Sequence, residues 1–259
     1  MFKLIAQEFV SQYSFLNLFN FITFRVGASI LTSLFFSLIF GQFIINKLSL
    51  VQPEGQPIRK DGPETHIIQK AGTPTMGGVL IILSVLISSI LWSDLHNNFL
   101  WIGLISLLIF GIIGFVDDFK KIKSNSSSGL KGTTRIVLQL FFALIISLVI
   151  LYILDDKIDT SIAFPFFKNL IINFGYFYLV ISLFIIVGSA NAVNLTDGLD
   201  GLAIVPVMIV AMTFAFIAYV TGNIIFSDYL LINYIAGTGE LSVLCGALIG
   251  SSLGFLWFN

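Results

Sequence analysis

The stretch that decides the fold is residues 99–116, FLWIGLISLLIFGIIGFV, which carries no charged side chain until DDFKKIK begins at Asp117. An apolar run of this length crosses a hydrocarbon core of about 30 Å as a helix. Comparable runs recur throughout the 259 residues, of which 57% are hydrophobic and only 10% charged, whereas soluble domains carry about 25% charged residues. The sequence therefore predicts an integral membrane protein without a separate soluble domain.

The apolar runs predict an all-α, polytopic transmembrane helix bundle that forms one integral membrane domain over residues 1–259. Nine of the 13 Lys and Arg residues fall on the side of the first, third and fifth loops. Cytoplasmic flanks are enriched in these residues, so we expect the N-terminus outside and the odd-numbered loops in the cytoplasm. The seven predicted spans are about 25–46, 76–92, 99–116, 136–153, 170–190, 199–220 and 241–258.

The charge balance and the cysteine content argue against a nucleic-acid-binding protein and against a disulfide-bonded one. A net charge of −1 gives no electrostatic support for nucleic-acid binding. The single cysteine, Cys245, lies in an apolar run and cannot form an internal disulfide. Residues 1–24 are rich in aromatic side chains but contain Glu8 and several amides, which favours an interfacial segment over a cleaved signal peptide. Asp228 and Glu240, near span ends, receive no role.

The first unusual loop is KAGTPTMGG, residues 70–78. Pro74 and Thr75 suit the start of a helix, and the glycines suit close helix packing. This interpretation does not explain Lys70, because a cation beside a helix N-terminus is unfavourable unless an anion binds there. The loop therefore fits either a helix start alone or a site for phosphate.

The second unusual feature is the pair Asp117 and Asp118, placed by the predicted spans at the C-terminal end of the third helix. The helix dipole is negative there, and two carboxylates about 5 Å apart repel by about 3 kcal/mol. Lys120 and Lys121 follow closely, so a solvated ion-pair cluster explains the pair. The alternative is a Mg²⁺ site, because Mg²⁺ takes oxygen ligands from one or two carboxylates and substrate phosphates.

The third unusual stretch is NAVNLTDGLDG, residues 191–201, which is predicted to lie between the fifth and sixth spans. Thr196 or Asp197 suffices to cap the next helix, and each Asp-Gly favours a turn. A cap needs only one residue, so it does not explain the other polar side chains. We expect the helix to end at the glycines, which would let several of these side chains contact one ligand. The candidates repeat every three residues: Asn191, Asn194, Asp197 and Asp200.

At these residues the sequence resembles the bacterial phospho-N-acetylmuramoyl-pentapeptide transferase family, within the polyprenyl-phosphate N-acetylhexosamine-1-phosphate transferases. The resemblance rests on GPETHIIQKAGTPTMGG, GFVDDFKKI and NAVNLTDGLDGLA. It implies transfer of phospho-MurNAc-pentapeptide from its UDP carrier to undecaprenyl phosphate, giving lipid I and UMP in the first membrane step of peptidoglycan synthesis. It also implies a Mg²⁺ cofactor, the bacterial inner membrane and an active site on the cytoplasmic face; a homodimer is left open.

The resemblance also implies residue roles. Asp117 and Asp118 correspond to the catalytic aspartate pair, in which Asp117 is a base or activator acting on the lipid phosphate and Asp118 helps to hold metal and phosphates. Asp117, Asp118 and Asp197 together correspond to the metal ligands. Lys121 corresponds to a phosphate contact. The remaining matches are substrate-binding: Lys70 and Thr75 near the nucleotide, Leu195 near the uracil, and Asn191, Asn194 and Asp200 in the polar cluster around nucleotide and metal.

The sequence departs from the family pattern in two respects. The family has about ten spans, with a further aspartate and a histidine-rich loop, so we expect this chain to be C-terminally truncated before the last spans and inactive alone. Arg135 also stands where a lysine is usual. The alternatives are a UDP-GlcNAc undecaprenyl-phosphate GlcNAc-1-phosphate transferase and, from another class, a secondary transporter. A transporter is expected to carry its polar residues near the midplane, whereas these lie at span ends.

Overall fold

The computed structural model describes residues 1–52, 76–124, 129–154, 160–164, 170–196 and 202–258. Within them the regular secondary structure is helical apart from one pair of short strands. The helices are α1 (Phe2–Phe9), a 3₁₀ helix (Ser14–Asn20), α2 (Ile22–Val51), α3 (Gly78–Trp92), α4 (Asn98–Lys123), α5 (Gly132–Ile153), α6 (Phe177–Thr196), α7 (Ile204–Thr221), α8 (Ile224–Leu230) and α9 (Glu240–Leu256); the strands are β1 (Ser161–Ala163) and β2 (Ile171–Asn173).

Helices α2, α4, α5, α6 and α7 are each long and apolar enough to cross a membrane, and α3 and α9 are shorter apolar helices. Each of the seven overlaps one predicted span. The prediction of an all-α, polytopic membrane bundle is therefore confirmed.

The fifth span begins later than predicted, at Phe177 rather than near residue 170. The apolar residues before it form strand β2, which pairs antiparallel with β1 so that Ile162 faces Ile172. The backbone then turns at Gly175, whose φ is +52° and whose N–H donates to the side chain of Asn173. The predicted span included the strand, because an apolar run by itself does not distinguish a β-strand from the start of a helix.

Helix α9 lies at the centre of the bundle and packs against α2, α3, α4 and α7. Its contact with α2 is close because small residues face each other: a Cβ on Gly250 would lie 2.9 Å from the carbonyl carbon of Ile30. Small residues at intervals of four are typical of closely packed membrane helices. On α2 they are Ser29, Ser33, Ser37 and Gly41, and on α9 they are Gly246, Gly250 and Gly254.

The buried serines of α2 also hydrogen-bond across the helix interfaces. Ser29 Oγ donates to the carbonyl of Val243 at 2.9 Å and lies 3.0 Å from Ser88 Oγ, and Ser37 Oγ lies 2.8 Å from Ser84 Oγ. Such bonds satisfy polar groups in an apolar surrounding. An apolar cluster of Val85, Leu100, Leu104 and Ala247 completes the core between α3, α4 and α9.

A buried charge cluster lies at the end of the bundle where α2 and α9 begin. The Arg25 guanidinium, 1% exposed, donates two hydrogen bonds of 2.6 Å to the two carboxylate oxygens of Glu240. The backbone N–H of Asp94 donates to Glu240 at 2.9 Å, and Lys3 pairs with Asp94. Glu240, which the sequence analysis left without a role, therefore joins three separate segments.

Candidate functional site at the carboxyl end of α4

Asp117 and Asp118 lie inside α4 and not at its end, because the helix continues to Lys123. The predicted span ended at residue 116, where the apolar run stops. The last turn of α4 carries Lys120, Lys121 and Lys123, and cations stabilise the negative end of a helix. The predicted position of the carboxylates at the helix terminus is therefore wrong, and the lysines occupy that position.

One lysine bridges both carboxylates. Lys121 Nζ lies 2.7 Å from Asp117 Oδ2 and 2.9 Å from Asp118 Oδ1. These spacings of four and three residues put the side chains on one face of the helix. The Asp117 side chain is 10% exposed and that of Asp118 30% exposed. The ion-pair cluster considered in the sequence analysis therefore exists, and Lys121 offsets the repulsion within the pair.

The other oxygen of Asp117 is held by the connection between α4 and α5. The backbone N–H of Leu130 donates to Asp117 Oδ1 at 2.7 Å. Hydrogen bonds to a charged acceptor are stronger than those between neutral groups. Both oxygens of Asp117 thus have a donor, so its carboxylate is fixed in orientation.

A second polar group links α5 and α6 beside this pair. Asn191 Nδ2 donates to Gln139 Oε1 at 2.7 Å, and Arg135 Nη2 donates to Asn191 Oδ1 at 3.3 Å. Arg135 is close enough to Asp117 for their charges to attract. The group therefore continues the polar surface from α4 to α6.

The structure corrects the predicted position of the Asn-rich segment. Asn191 and Asn194 lie within α6, which ends at Thr196, and not in a loop between two spans. Asn194 and Leu195, three and four residues after Asn191, are exposed. Four predicted site residues lie outside the described residues: Lys70, Thr75, Asp197 and Asp200.

Two groups that contact predicted site residues were not predicted from the sequence. The backbone N–H of Leu130 carries no sequence signal, because every residue except proline has one. Gln139, 6% exposed, was detectable as a polar side chain in the apolar run 136–153. A buried amide in such a run needs a partner, and that partner is Asn191.

The site has the donor set that a small hard cation needs. Mg²⁺ binds one or two carboxylates and completes its shell with water and substrate phosphates. Asp117 and Asp118 supply the carboxylates, and the Lys121 ammonium already occupies the space between them as a monovalent cation. Among the described residues, no group of three or more His, Cys, Asp or Glu side chains converges.

An apolar groove of about 620 Å³ lies between α7 and α9. Its walls are aliphatic and aromatic, and they include Val210 and Phe214 of α7. Val193 and Thr196, from the end of α6 that carries Asn194, also line it. The groove therefore extends to the same end of α6 as the polar site.

Comparisons with known proteins agree with these motifs. A model of glycosyl transferase family 4 matches residues 100–259, and the first signature of phospho-N-acetylmuramoyl-pentapeptide transferases matches residues 70–82. The transferase of that name from Pelagibacter ubique is 52% identical over 259 residues, which is 100% of this chain and 71% of the relative. The Rickettsia felis transferase is 53% identical over 243 residues, 94% of this chain and 67% of the relative.

This chain belongs to the phospho-N-acetylmuramoyl-pentapeptide transferase family. The resemblance inferred from three motifs is thereby confirmed. The family model begins at residue 100 and so includes Asp117, Lys121 and Asn191, whereas the signature match includes Lys70 and Thr75. The matched regions thus contain all the residues predicted for the site.

Proposed function

We propose that the chain transfers phospho-MurNAc-pentapeptide from UDP-MurNAc-pentapeptide to undecaprenyl phosphate, giving lipid I and UMP. The observation that carries this proposal is the lysine-bridged pair of Asp117 and Asp118 at one end of a membrane bundle whose relatives bear the transferase name. Membership of an enzyme family supports the reaction class. The carboxylates lie in the last two turns of α4, near one end of the bundle, and this position suits a water-soluble donor and a lipid acceptor.

In the proposed reaction, an oxygen of the lipid phosphate attacks the phosphorus that carries the sugar, and UMP leaves with the electron pair of the broken P–O bond. The protein mainly positions the phosphates and offsets their charge. Lys121, already 2.7 Å from Asp117, is placed to move toward an arriving phosphate. Asp117, fixed by Leu130 and facing the site, would accept a proton from the lipid phosphate or orient it.

We propose Mg²⁺ as the cofactor, held by Asp117 and Asp118 together with Asp197. When bound, this ion neutralises charge on the pyrophosphate. Asp118 is the more accessible carboxylate of the pair, with 30% of its side chain exposed. It is therefore the residue that most easily contacts an ion and a phosphate arriving from water.

The proposed location is the cytoplasmic face of the bacterial inner membrane. The excess of Lys and Arg in the odd-numbered loops supports this orientation, and a nucleotide-linked donor is available in the cytoplasm. The apolar groove between α7 and α9 offers a surface for an isoprenoid chain in the bilayer. A measurement of the mass of the purified protein in detergent tests whether it is a monomer or a homodimer.

The direct test mixes the purified chain with Mg²⁺, UDP-MurNAc-pentapeptide and undecaprenyl phosphate and measures donor binding, UMP and lipid I. We expect donor binding that needs Asp118. We expect little UMP from these 259 residues alone, because the resemblance implies a histidine-rich loop and the sequence has only two histidines, His66 and His96. Rapid lipid I formation would contradict the second expectation.

The same assay separates the alternatives. Preferential binding of UDP-GlcNAc would favour a GlcNAc-1-phosphate transferase, although the signature match at residues 70–82 favours the pentapeptide donor. Substrate flux into proteoliposomes without donor binding or UMP would favour a transporter.

A further inference from the structure

Gly129 lies unusually close to the carboxylate of Asp117. A Cβ built on Gly129 would lie 2.7 Å from Asp117 Cγ and 2.8 Å from Oδ2, with Oδ1 closer still. Contacts under 3.0 Å between such carbon and oxygen atoms are not tolerated, so one of the two groups would have to move. The absence of a side chain at residue 129 is therefore what permits the observed approach.

The backbone conformation does not explain the glycine. Among the described glycines, positive φ angles occur at Gly175 and Gly237, and Gly129 is not one of them. An alanine can therefore adopt the φ of residue 129. The constraint at this position is steric, and the group that imposes it is the side chain of Asp117.

The approach has a chemical consequence at the next residue. It brings the N–H of Leu130 to 2.7 Å from Asp117 Oδ1. Lys121 holds the opposite oxygen, Oδ2. Asp117 cannot rotate away from a new Cβ without losing one of these donors, and the backbone cannot withdraw without losing the bond from Leu130.

We propose that Gly129 is a positioning residue for Asp117: it lets the α4–α5 connection close on the carboxylate, so that the Leu130 amide fixes the orientation in which Asp117 meets its ligand. The identity of the ligand rests on the proposed function, whereas the contact between Gly129 and Asp117 does not. A displacement of about 1 Å at a reacting group is enough to cost about a hundredfold in rate, so a single methyl group matters here.

The chain offers a matched control in the same connection. Gly132 is exposed at the start of α5, and a Cβ there would meet nothing within 4 Å. Gly132→Ala therefore adds the same methyl group without touching Asp117. Alanine is also the better helix former, so this control should fold at least as well as the parent chain.

The first measurement follows hydrogen exchange at the Leu130 amide by mass spectrometry. We expect exchange about tenfold faster or more in Gly129→Ala, because a charge-assisted hydrogen bond is lost, and no change in Gly132→Ala. Equal exchange in Gly129→Ala and the parent chain overturns the proposal. This readout needs neither metal nor substrate.

The second measurement titrates Mn²⁺, a paramagnetic substitute for Mg²⁺, by electron paramagnetic resonance. We expect affinity to fall roughly tenfold to a hundredfold in Gly129→Ala and to stay constant in Gly132→Ala. Faster exchange with unchanged Mn²⁺ affinity overturns the positioning role. If the parent chain binds no Mn²⁺, the metal part of the proposed function fails, and the exchange result still decides whether Gly129 holds Asp117.

A third variant keeps the proposal testable if Gly129→Ala folds poorly. Asp117→Ala removes the carboxylate that the new Cβ would strike, so the double variant should regain the thermal stability of Asp117→Ala alone. Coupling of this kind identifies the two groups in contact. An equal loss of stability from Gly129→Ala with and without Asp117 would show that the clash lies elsewhere and would overturn the proposal.

Discussion

The two ends of the helix bundle each pair carboxylates with cations, but they are built differently. At one end, Arg25 and Glu240 meet across 215 residues of sequence, and both are buried. At the other, Lys121 joins Asp117 and Asp118 within two turns of one helix, and Asp118 and Lys121 keep about 30% of their side chains exposed. The pair of Arg25 and Glu240 is closed to solvent, whereas in the other cluster Asp117 is buried but Asp118 and Lys121 are open to it.

This difference separates a structural cluster from a candidate site. Arg25 and Glu240 form a two-fold hydrogen-bonded pair with 2.6 Å contacts, and the N–H of Asp94 adds a third bond to Glu240. Of the polar side-chain atoms of Arg25 and Glu240, only Arg25 Nε lacks a hydrogen-bond partner, so an incoming ligand finds few groups to bind. Lys121, by contrast, holds two carboxylates by contacts that leave it and Asp118 partly exposed. In the proposed function, a divalent ion or a phosphate replaces these contacts.

The largest expected effect is at the closed end. Glu240→Gln keeps the shape of the side chain but leaves the charge of Arg25 buried without a counterion, which costs about 3–5 kcal/mol. We expect a correspondingly lower midpoint of chemical unfolding in detergent. Glu8→Gln, a change at an exposed glutamate, should alter stability by about 0.5 kcal/mol or less. Equal unfolding of Glu240→Gln and the parent chain would remove the distinction between the two ends.

The next effect is at the open end and concerns binding more than stability. Asp117→Asn removes one of the two carboxylates, and we expect Mn²⁺ affinity to fall by more than the roughly 10- to 100-fold that loss of a supporting hydrogen bond costs. The unfolding free energy should fall by about 1.5–3 kcal/mol, because Asp117 is buried and loses its charge-assisted bonds. The loss should stay below that of Glu240→Gln, since Lys121 is partly exposed and keeps its contact with Asp118. A large loss of stability with intact Mn²⁺ binding would mean that this cluster, too, is structural.

A third variant tests how firmly the open end is assembled. Asn191→Ala removes the bond to Gln139 and the contact with Arg135 that join α5 and α6. Hydrogen bonds between membrane helices contribute about 0.6 kcal/mol on average and about 1.7 at most, so we expect a loss in that range. Asn194→Ala, at an exposed position of the same helix, is the control and should unfold like the parent chain.

The sequence predicted the helices and the open cluster because both depend on local order. Apolar runs reveal spans, and a spacing of three or four residues places Lys121 beside the aspartates. Helix ends were predicted less well, since hydropathy marks where a run leaves the membrane and not where its hydrogen bonds stop. Helix α4 continues through charged residues to Lys123 and α6 through polar ones to Thr196.

The closed cluster could not be predicted, because nothing in the neighbourhood of Arg25 points to Glu240. Each residue looked like a flank of its own span, and an ion pair between them requires α2 and α9 to be adjacent. That adjacency comes from facing small residues, as at Gly250 of α9 and Ser33 of α2. Sequence periodicity suggests such a stripe without naming the partner helix. Long-range pairing is thus the part that only three-dimensional packing supplies.

The smallest expected effect is a pH dependence at the rim of the closed end. Burial by itself raises the pKa of Asp94, but hydrogen bonds from Lys3 and the His96 amide outweigh it and leave the pKa below its usual value. A carboxyl with a lowered folded-state pKa contributes stability above its unfolded pKa, about 3.9, and loses it as the pH falls through the folded value.

We therefore expect Asp94→Asn to unfold slightly more easily than the parent chain at pH 6, by about 1 kcal/mol or less, and the difference to shrink as the pH falls below about 4. Unfolding midpoints of the two chains measured between pH 6 and pH 3 give this comparison. A difference that grows on acidification would mean that the protonated form of Asp94 is the one the fold favours. The rim would then be held by neutral hydrogen bonds, unlike the ion pair of Arg25 and Glu240 beneath it.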